Sequence, residues 1–140
     1  MSVLFYLSII LFFFPKEKDW ISYSKSPKFT SYYDKNSITK NSNGNFTVWC
    51  KEVPTADSIA RFRKQLYDIS NNPAYFDFAF TLQKEEVSCT QRKVRIQEMI
   101  DYGNNKSIIQ KASIENEADW QIPPKGTEGF ILIYAVCDLQ

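Results

Sequence analysis

Apolar and polar positions alternate along much of this chain, and changes in their period mark its elements. Phe29, Ser31 and Tyr33 alternate with Thr30 and Tyr32, and this aromatic, hydroxylated run predicts a strand that Asp34, Lys35 and Asn36 interrupt. Asn43 and Gly44 then precede a second alternating run, Phe46, Thr47, Val48, Trp49 and Cys50. Asn-Gly between two such runs predicts a first hairpin, because both residues accept the positive φ of a tight turn. In that register Phe46, Val48 and Cys50 face one way, and Thr47, Trp49 and Lys51 face the other.

The period lengthens after Pro54. Ile59, Phe62, Leu66 and Ile69 recur at helical spacing until Asn71, Asn72 and Pro73 stop them, which predicts a helix over 55–69. Its stripe is expected to pack on the sheet, with Arg61, Arg63 and Lys64 on the wet side. Phe76, Phe78, Phe80 and Leu82 then alternate with Asp77, Ala79 and Thr81, predicting a strand that buries three phenylalanines on one face, with Phe78, Phe80 and Val48 in the core. Val94 and Ile96 belong to a further strand, and Tyr102, Gly103, Asn104 and Asn105 read as the turn into a strand over 107–112. The tail is ambiguous by pattern alone. The run 130–136 has the β-branched content of a buried strand. Its flanks suit a helix, with Pro123 and Pro124 before it, Thr127 as a cap, Glu128 in the first turn, and Phe130, Ile133, Tyr134 and Cys137 on one face.

Residues 3–14 are almost wholly apolar and end at Pro15 and a charged run. That is short of the roughly 20 apolar residues a bilayer-spanning helix needs and within the range of about 7–15 for the core of a signal peptide. Segment 1–18 is therefore expected to be a signal peptide or an N-terminal apolar anchor, and 19–140 a single domain. Any contact with a membrane is expected only through that first segment, if it is uncleaved.

Composition narrows the function classes. The 140 residues carry 17 basic and 16 acidic side chains, so no global field steers the chain toward nucleic acid, and no nucleic-acid partner is expected. Seven lysines between residues 15 and 51 outnumber Glu17, Asp19 and Asp34, which reads as solvated strand edges or as an anion-facing patch. There is no histidine. That removes Ser-His-Asp and Cys-His nucleophile activation and His-ligated metal sites, so no cofactor and no metal ligand are expected. Carboxylate chemistry remains, but Glu85 and Glu86 point to opposite faces of a strand and are expected to be solvated strand-end charges. The other acids are scattered along the chain, with no spacing that converges two of them, so no catalytic residue is assigned. The three cysteines permit three single pairings, each leaving one odd thiol that is free or paired between chains.

Trp20, Tyr32-Tyr33-Asp34 with Ser37-Ile38, Val48-Trp49, Cys89 followed by Arg92, Asp101-Tyr102-Gly103, and Trp120 to Pro124 leading to Ala135-Val136-Cys137 occur in an order that resembles the surface-adhesin protein E family of small exported bacterial proteins. The resemblance implies an α+β fold: an antiparallel sheet of about six strands with a C-terminal helix tied to its face by a disulfide. It thereby assigns the tail to a helix and the bridge to Cys89 and Cys137, leaving Cys50 as a buried free thiol, in keeping with its register beside Phe46 and Val48. The helix over 55–69, inserted after the first hairpin, and Cys50 itself depart from the family pattern.

The resemblance also implies a protein of the bacterial periplasm or outer surface. Its expected partners are proteins, host matrix or serum proteins among them, or a second copy of the chain. The leading expectation is a non-enzymatic envelope protein that binds a macromolecule through an aromatic or lysine-rich sheet face. The alternative is a structural or accessory subunit of an envelope complex, in which Ile59, Phe62 and Leu66 dock on a partner. The residues that touch a ligand are not legible in the sequence.

Overall fold

The computed structural model describes residues 16–114 and 119–139. The predicted export or anchoring segment lies almost wholly outside the described residues. The frame is an antiparallel sheet of β1 (Trp20–Lys25), β2 (Phe29–Asp34), β3 (Thr39–Lys40), β4 (Phe46–Pro54), β5 (Phe78–Ser88), β6 (Lys93–Gly103) and β7 (Ile108–Ser113). Six strands lie in the order β1-β2-β4-β5-β6-β7, and the short β3 pairs with β4 beside them. Helix α1 (Ile59–Ser70) follows β4, and helix α2 (Glu128–Cys137) closes the chain. The class is α+β.

The Asn-Gly turn closes a hairpin between β3 and β4. Gly44 adopts φ +87°, and the Asn41 N–H donates to the Asn45 carbonyl at 2.7 Å. The preceding aromatic strand, β2, pairs with β4 farther along, from Phe29↔Pro54 to Tyr33↔Cys50. Asp34 makes that detour possible by capping the 3₁₀ turn Lys35–Ser37, its Oδ1 accepting from the Asn36 N–H at 3.0 Å.

Helix α2 lies on one face of the sheet. Leu132, Ile133, Ala135 and Val136 fill the core against Tyr33, Val48, Cys50, Val87 and Val94. The predicted helix face is corrected: Phe130 and Tyr134 are 40% and 50% exposed and point outward. The helix is apolar nearly all round, so periodicity could not choose its inner side, which is formed by Leu132, Ile133, Ala135 and Val136. A disulfide joins Cys89, just past β5, to Cys137 across 48 residues, and Cys50 is unpaired and 1% exposed. Arg92 grips Asp138 with two 2.9 Å contacts at the same end.

Two other expectations change. Strand β5 starts only at Phe78. Phe76 sits in the 3₁₀ turn Pro73–Asp77, 57% exposed, with its ring stacked on Tyr67 at 4.5 Å. A bulge between Phe78 and Phe80 then breaks the alternation, so that Phe78 is buried while Phe80 passes to the face away from α2 and stacks on Tyr102 at 5.1 Å. The three phenylalanines therefore do not share a core face. Helix α1 forms where the spacing predicted it but buries no residue, and Ile69 is 85% exposed. The core face of the sheet is covered by α2 instead. The contacts of α1 are at the rim, through Tyr67 on Phe76, Phe62 near Phe29, and the Arg63 Nε–H donating to the Phe78 carbonyl at 3.0 Å. Among the described residues, no helix is long and apolar enough to cross a membrane.

Candidate functional site

With α2 on one side, every second residue of each strand is left on the other. That face collects Trp20, Tyr32, Trp49, Phe80, Leu82 and Tyr102, and Lys51 stands among them. The Lys51 ammonium lies 4.5 Å from the centre of the Trp20 ring, 5.2 Å from Tyr32 and 5.9 Å from Phe80. Lys18 lies 5.8 Å from the Trp20 ring. Rings that surround an ammonium attract it through their quadrupoles while removing its water. Burial, and then the like charge of Lys18, hold the Lys51 pKa below the ordinary lysine range. A shallow pocket of about 190 Å³ opens between Trp20, Trp49, Leu82 and Tyr102.

Farther along the same face, Lys93 and Arg95 lie 5.1 and 4.7 Å from the Trp120 ring. Arg95 is also paired with Glu86, through Nε at 2.9 Å and Nη2 at 2.7 Å. Asn43 and Asn45 donate to the other oxygen of Glu86 at 3.1 and 3.0 Å, and Gln97 donates at 3.0 Å to the oxygen that Arg95 holds. Burial alone would raise the Glu86 pKa, but the hydrogen bonds from Asn45, Arg95 and Asn43 outweigh it and hold the carboxyl below its usual range.

The opposite face holds a second feature. Between β4, β5, β6 and the first turn of α2 lies a cavity of about 430 Å³ that contains Glu52, Glu85, Asp119 and Glu128. Glu85 is 9% exposed; burial, then the charges of Glu128 and Glu52, push its pKa up to about 8. Burial and Glu128 raise Glu52 to about 7. The Tyr23 hydroxyl donates to Glu128 at 3.0 Å, and burial drives the pKa of Tyr23 far upward. Burial and Glu85 do the same to the Cys50 thiol. Glu128 opens α2, where the helix dipole favours a negative charge.

Glu85 and Glu86 do point to opposite faces, but they are not solvated strand-end charges. Both are buried in the length of β5, at 9% and 2% exposure. The expectation that no acids converge is likewise overturned, because β4, β5 and α2 bring together residues 52, 85 and 128, which no local spacing relates. The one readable signal was that Glu85 shares the strand face of Val87, and Glu52 that of Cys50 and Val48. The lysine surplus near the N-terminus is partly gathered, with Lys18 and Lys51 meeting at Trp20.

Neither the curated proteins nor the solved structures contain a match to the chain. The family model described as surface-adhesin protein E matches residues 20–138, from the first residue of β1 to the residue after Cys137. With the sheet, the capping helix and the Cys89–Cys137 tether in place, this chain belongs to the surface-adhesin protein E family.

Proposed function

We propose that this protein is an exported envelope or surface protein that binds another macromolecule, without catalysing a reaction, through the sheet face that α2 leaves bare. The observation that carries this reading is Lys51 held among Trp20, Tyr32 and Phe80 beside a shallow aromatic pocket. Large rings around a half-desolvated cation are the composition of binding hot spots, because they bury much area at little entropic cost. Host matrix or serum proteins are the partners that the family suggests. The Cys89–Cys137 bridge supports export, since such bonds persist in oxidising compartments.

The test is binding of the immobilised protein to matrix and serum proteins, compared between the wild type and a Trp49→Ala/Lys51→Ala variant. A loss of more than about tenfold at an unchanged melting temperature supports the reading, as removal of a hot spot does. Equal binding by the two overturns it. Hydrolytic turnover abolished by Glu85→Gln would overturn the non-enzymatic part.

A second reading, an accessory subunit of an envelope complex, is favoured by α1, whose Ile69 is 85% exposed and whose Tyr67 stacks on Phe76, itself 57% exposed. It predicts capture of an envelope protein that depends on Ile69 and is indifferent to Trp49.

A further inference from the structure

The cavity beneath the first turn of α2 contains more polar groups than the fold uses. Gln83 and Glu85 are 7% and 9% exposed, both line the cavity, and neither side chain has a hydrogen-bond partner among the described residues. Among the described residues the one fully buried side-chain oxygen without a partner is Ser31 Oγ, so the polar ends of Gln83 and Glu85 are not sealed in the protein but open side by side into one space. Glu86, one residue away, has its two oxygens filled by four donors, so the same strand shows what a satisfied buried carboxylate looks like.

The walls define what fits. Glu52 comes from β4, Glu85 from β5, Glu128 from α2 and Asp119 from the segment before it, so acid groups surround the space on several sides. Val94, Ile96 and Ile114 supply apolar wall. Tyr23 and Cys50, which face Glu85 from β1 and β4, are neutral in this setting and add no charge. Arg95 contributes to the rim while its guanidinium bonds Glu86 on the other face. Among the described residues no three acids are grouped closely enough to hold a metal ion. The size lies within the range of about 300–1,000 Å³ typical of small-molecule sites.

We propose that this cavity is a binding site for an organic cation, an alkylammonium or guanidinium group on a short apolar stem, with Glu85, Glu52 and Glu128 as its counter-ions and Gln83 as an acceptor. The stem lies along Val94, Ile96 and Ile114. Positive charge favours the ionised carboxylates, so protons held by Glu85 and Glu52 leave to solvent as the ligand enters. Affinity therefore rises with pH until both acids are ionised. The site is on the opposite face from the proposed macromolecular surface and does not depend on it.

The test is calorimetric titration of the intact protein with cadaverine, with Nα-acetyl-lysine methylamide, and with 1-pentanol as an uncharged control. The expected result is saturable binding of cadaverine that strengthens at least about tenfold from pH 6 to pH 9, with proton release seen as a dependence on buffer ionisation enthalpy. Glu85→Gln and, separately, Glu52→Gln should each weaken binding and reduce the proton count, while Trp49→Ala should leave both unchanged. Binding of the lysine derivative as well assigns the site to a side chain presented by a peptide, and binding of cadaverine alone assigns it to free amines. No saturable binding of either amine at pH 9, binding of pentanol equal to that of cadaverine, or full binding by both glutamine variants would overturn the proposal.

Discussion

Glu85 and Glu86 are consecutive residues of β5, both buried, and their carboxyls are displaced in opposite directions, Glu85 upward to about 8 and Glu86 below its usual range. Alternation of side chains across a strand sends one into a cavity with three other acids and the other into a cage of donors. This pair, with Glu52 raised to about 7 beside Glu85, shapes the protein's pH response.

On the alkaline side Glu85 governs. Its folded pKa lies above the ordinary 4.5, so between about 4.5 and 8 the folded state binds the extra proton and stability declines as pH rises. The contribution is complete below pH 4.5 and gone above about 8. Denaturant midpoints from pH 5 to pH 9 should fall, and Glu85→Gln should remove most of that slope, a difference on the order of a few kcal/mol at the top of the range. An undiminished slope in the variant would refute the assignment.

On the acid side the sign reverses. The depressed pKa of Glu86 gives stability that is present above the ordinary value of 4.5 and is lost as pH falls through the folded value. Arg95→Met removes the charged donor from a carboxylate that is 2% exposed, leaving it the amides of Asn43, Asn45 and Gln97, and should cost roughly 1.5–3 kcal/mol. The same variant should also shift acid unfolding to higher pH. Thermal melts at pH 3–6 decide between this and a merely superficial pair.

Reduction of Cys89–Cys137 should cost about 4 kcal/mol on the chain-entropy account, given a closed loop of 48 residues. Protection of amides in α2 against hydrogen exchange should fall before that of β4 and β5. Equal melting temperatures with and without reductant would contradict this.

Truncation should separate the two faces of the sheet. Leu132→Ala removes a fully buried side chain from the core and should cost about 2–5 kcal/mol. Phe80→Ala trims a half-buried ring on the other face and should cost roughly 1–2 kcal/mol. Chemical denaturation of both variants checks the register after the bulge, because equal losses would place Phe80 in the core.

Much of the frame was legible because it is written in short-range patterns. Phe29 to Tyr33, Phe46 to Cys50 and Ile59 to Ile69 carry periods of two or of three to four, and Asn43-Gly44 encodes a turn that few other pairs adopt. The order of motifs from Trp20 to Cys137 added the helical tail and its bridge. Four things followed only from tertiary structure. The inner side of α2 depends on which residues fit against Val48 and Val87, since the helix is apolar nearly all round. The passage of Phe80 to the bare face depends on a bulge that no residue type announces. The position of α1 at the rim depends on its contacts with Phe29, Phe76 and Phe78, which its own spacing does not encode. The meeting of Glu52, Glu85 and Glu128 depends on strand pairing and helix docking between residues tens of positions apart. Local sequence sets the conformation of a segment through the energies of neighbouring residues. Which segments then touch, and so which charges are forced to share a cavity, is decided by packing of the whole chain.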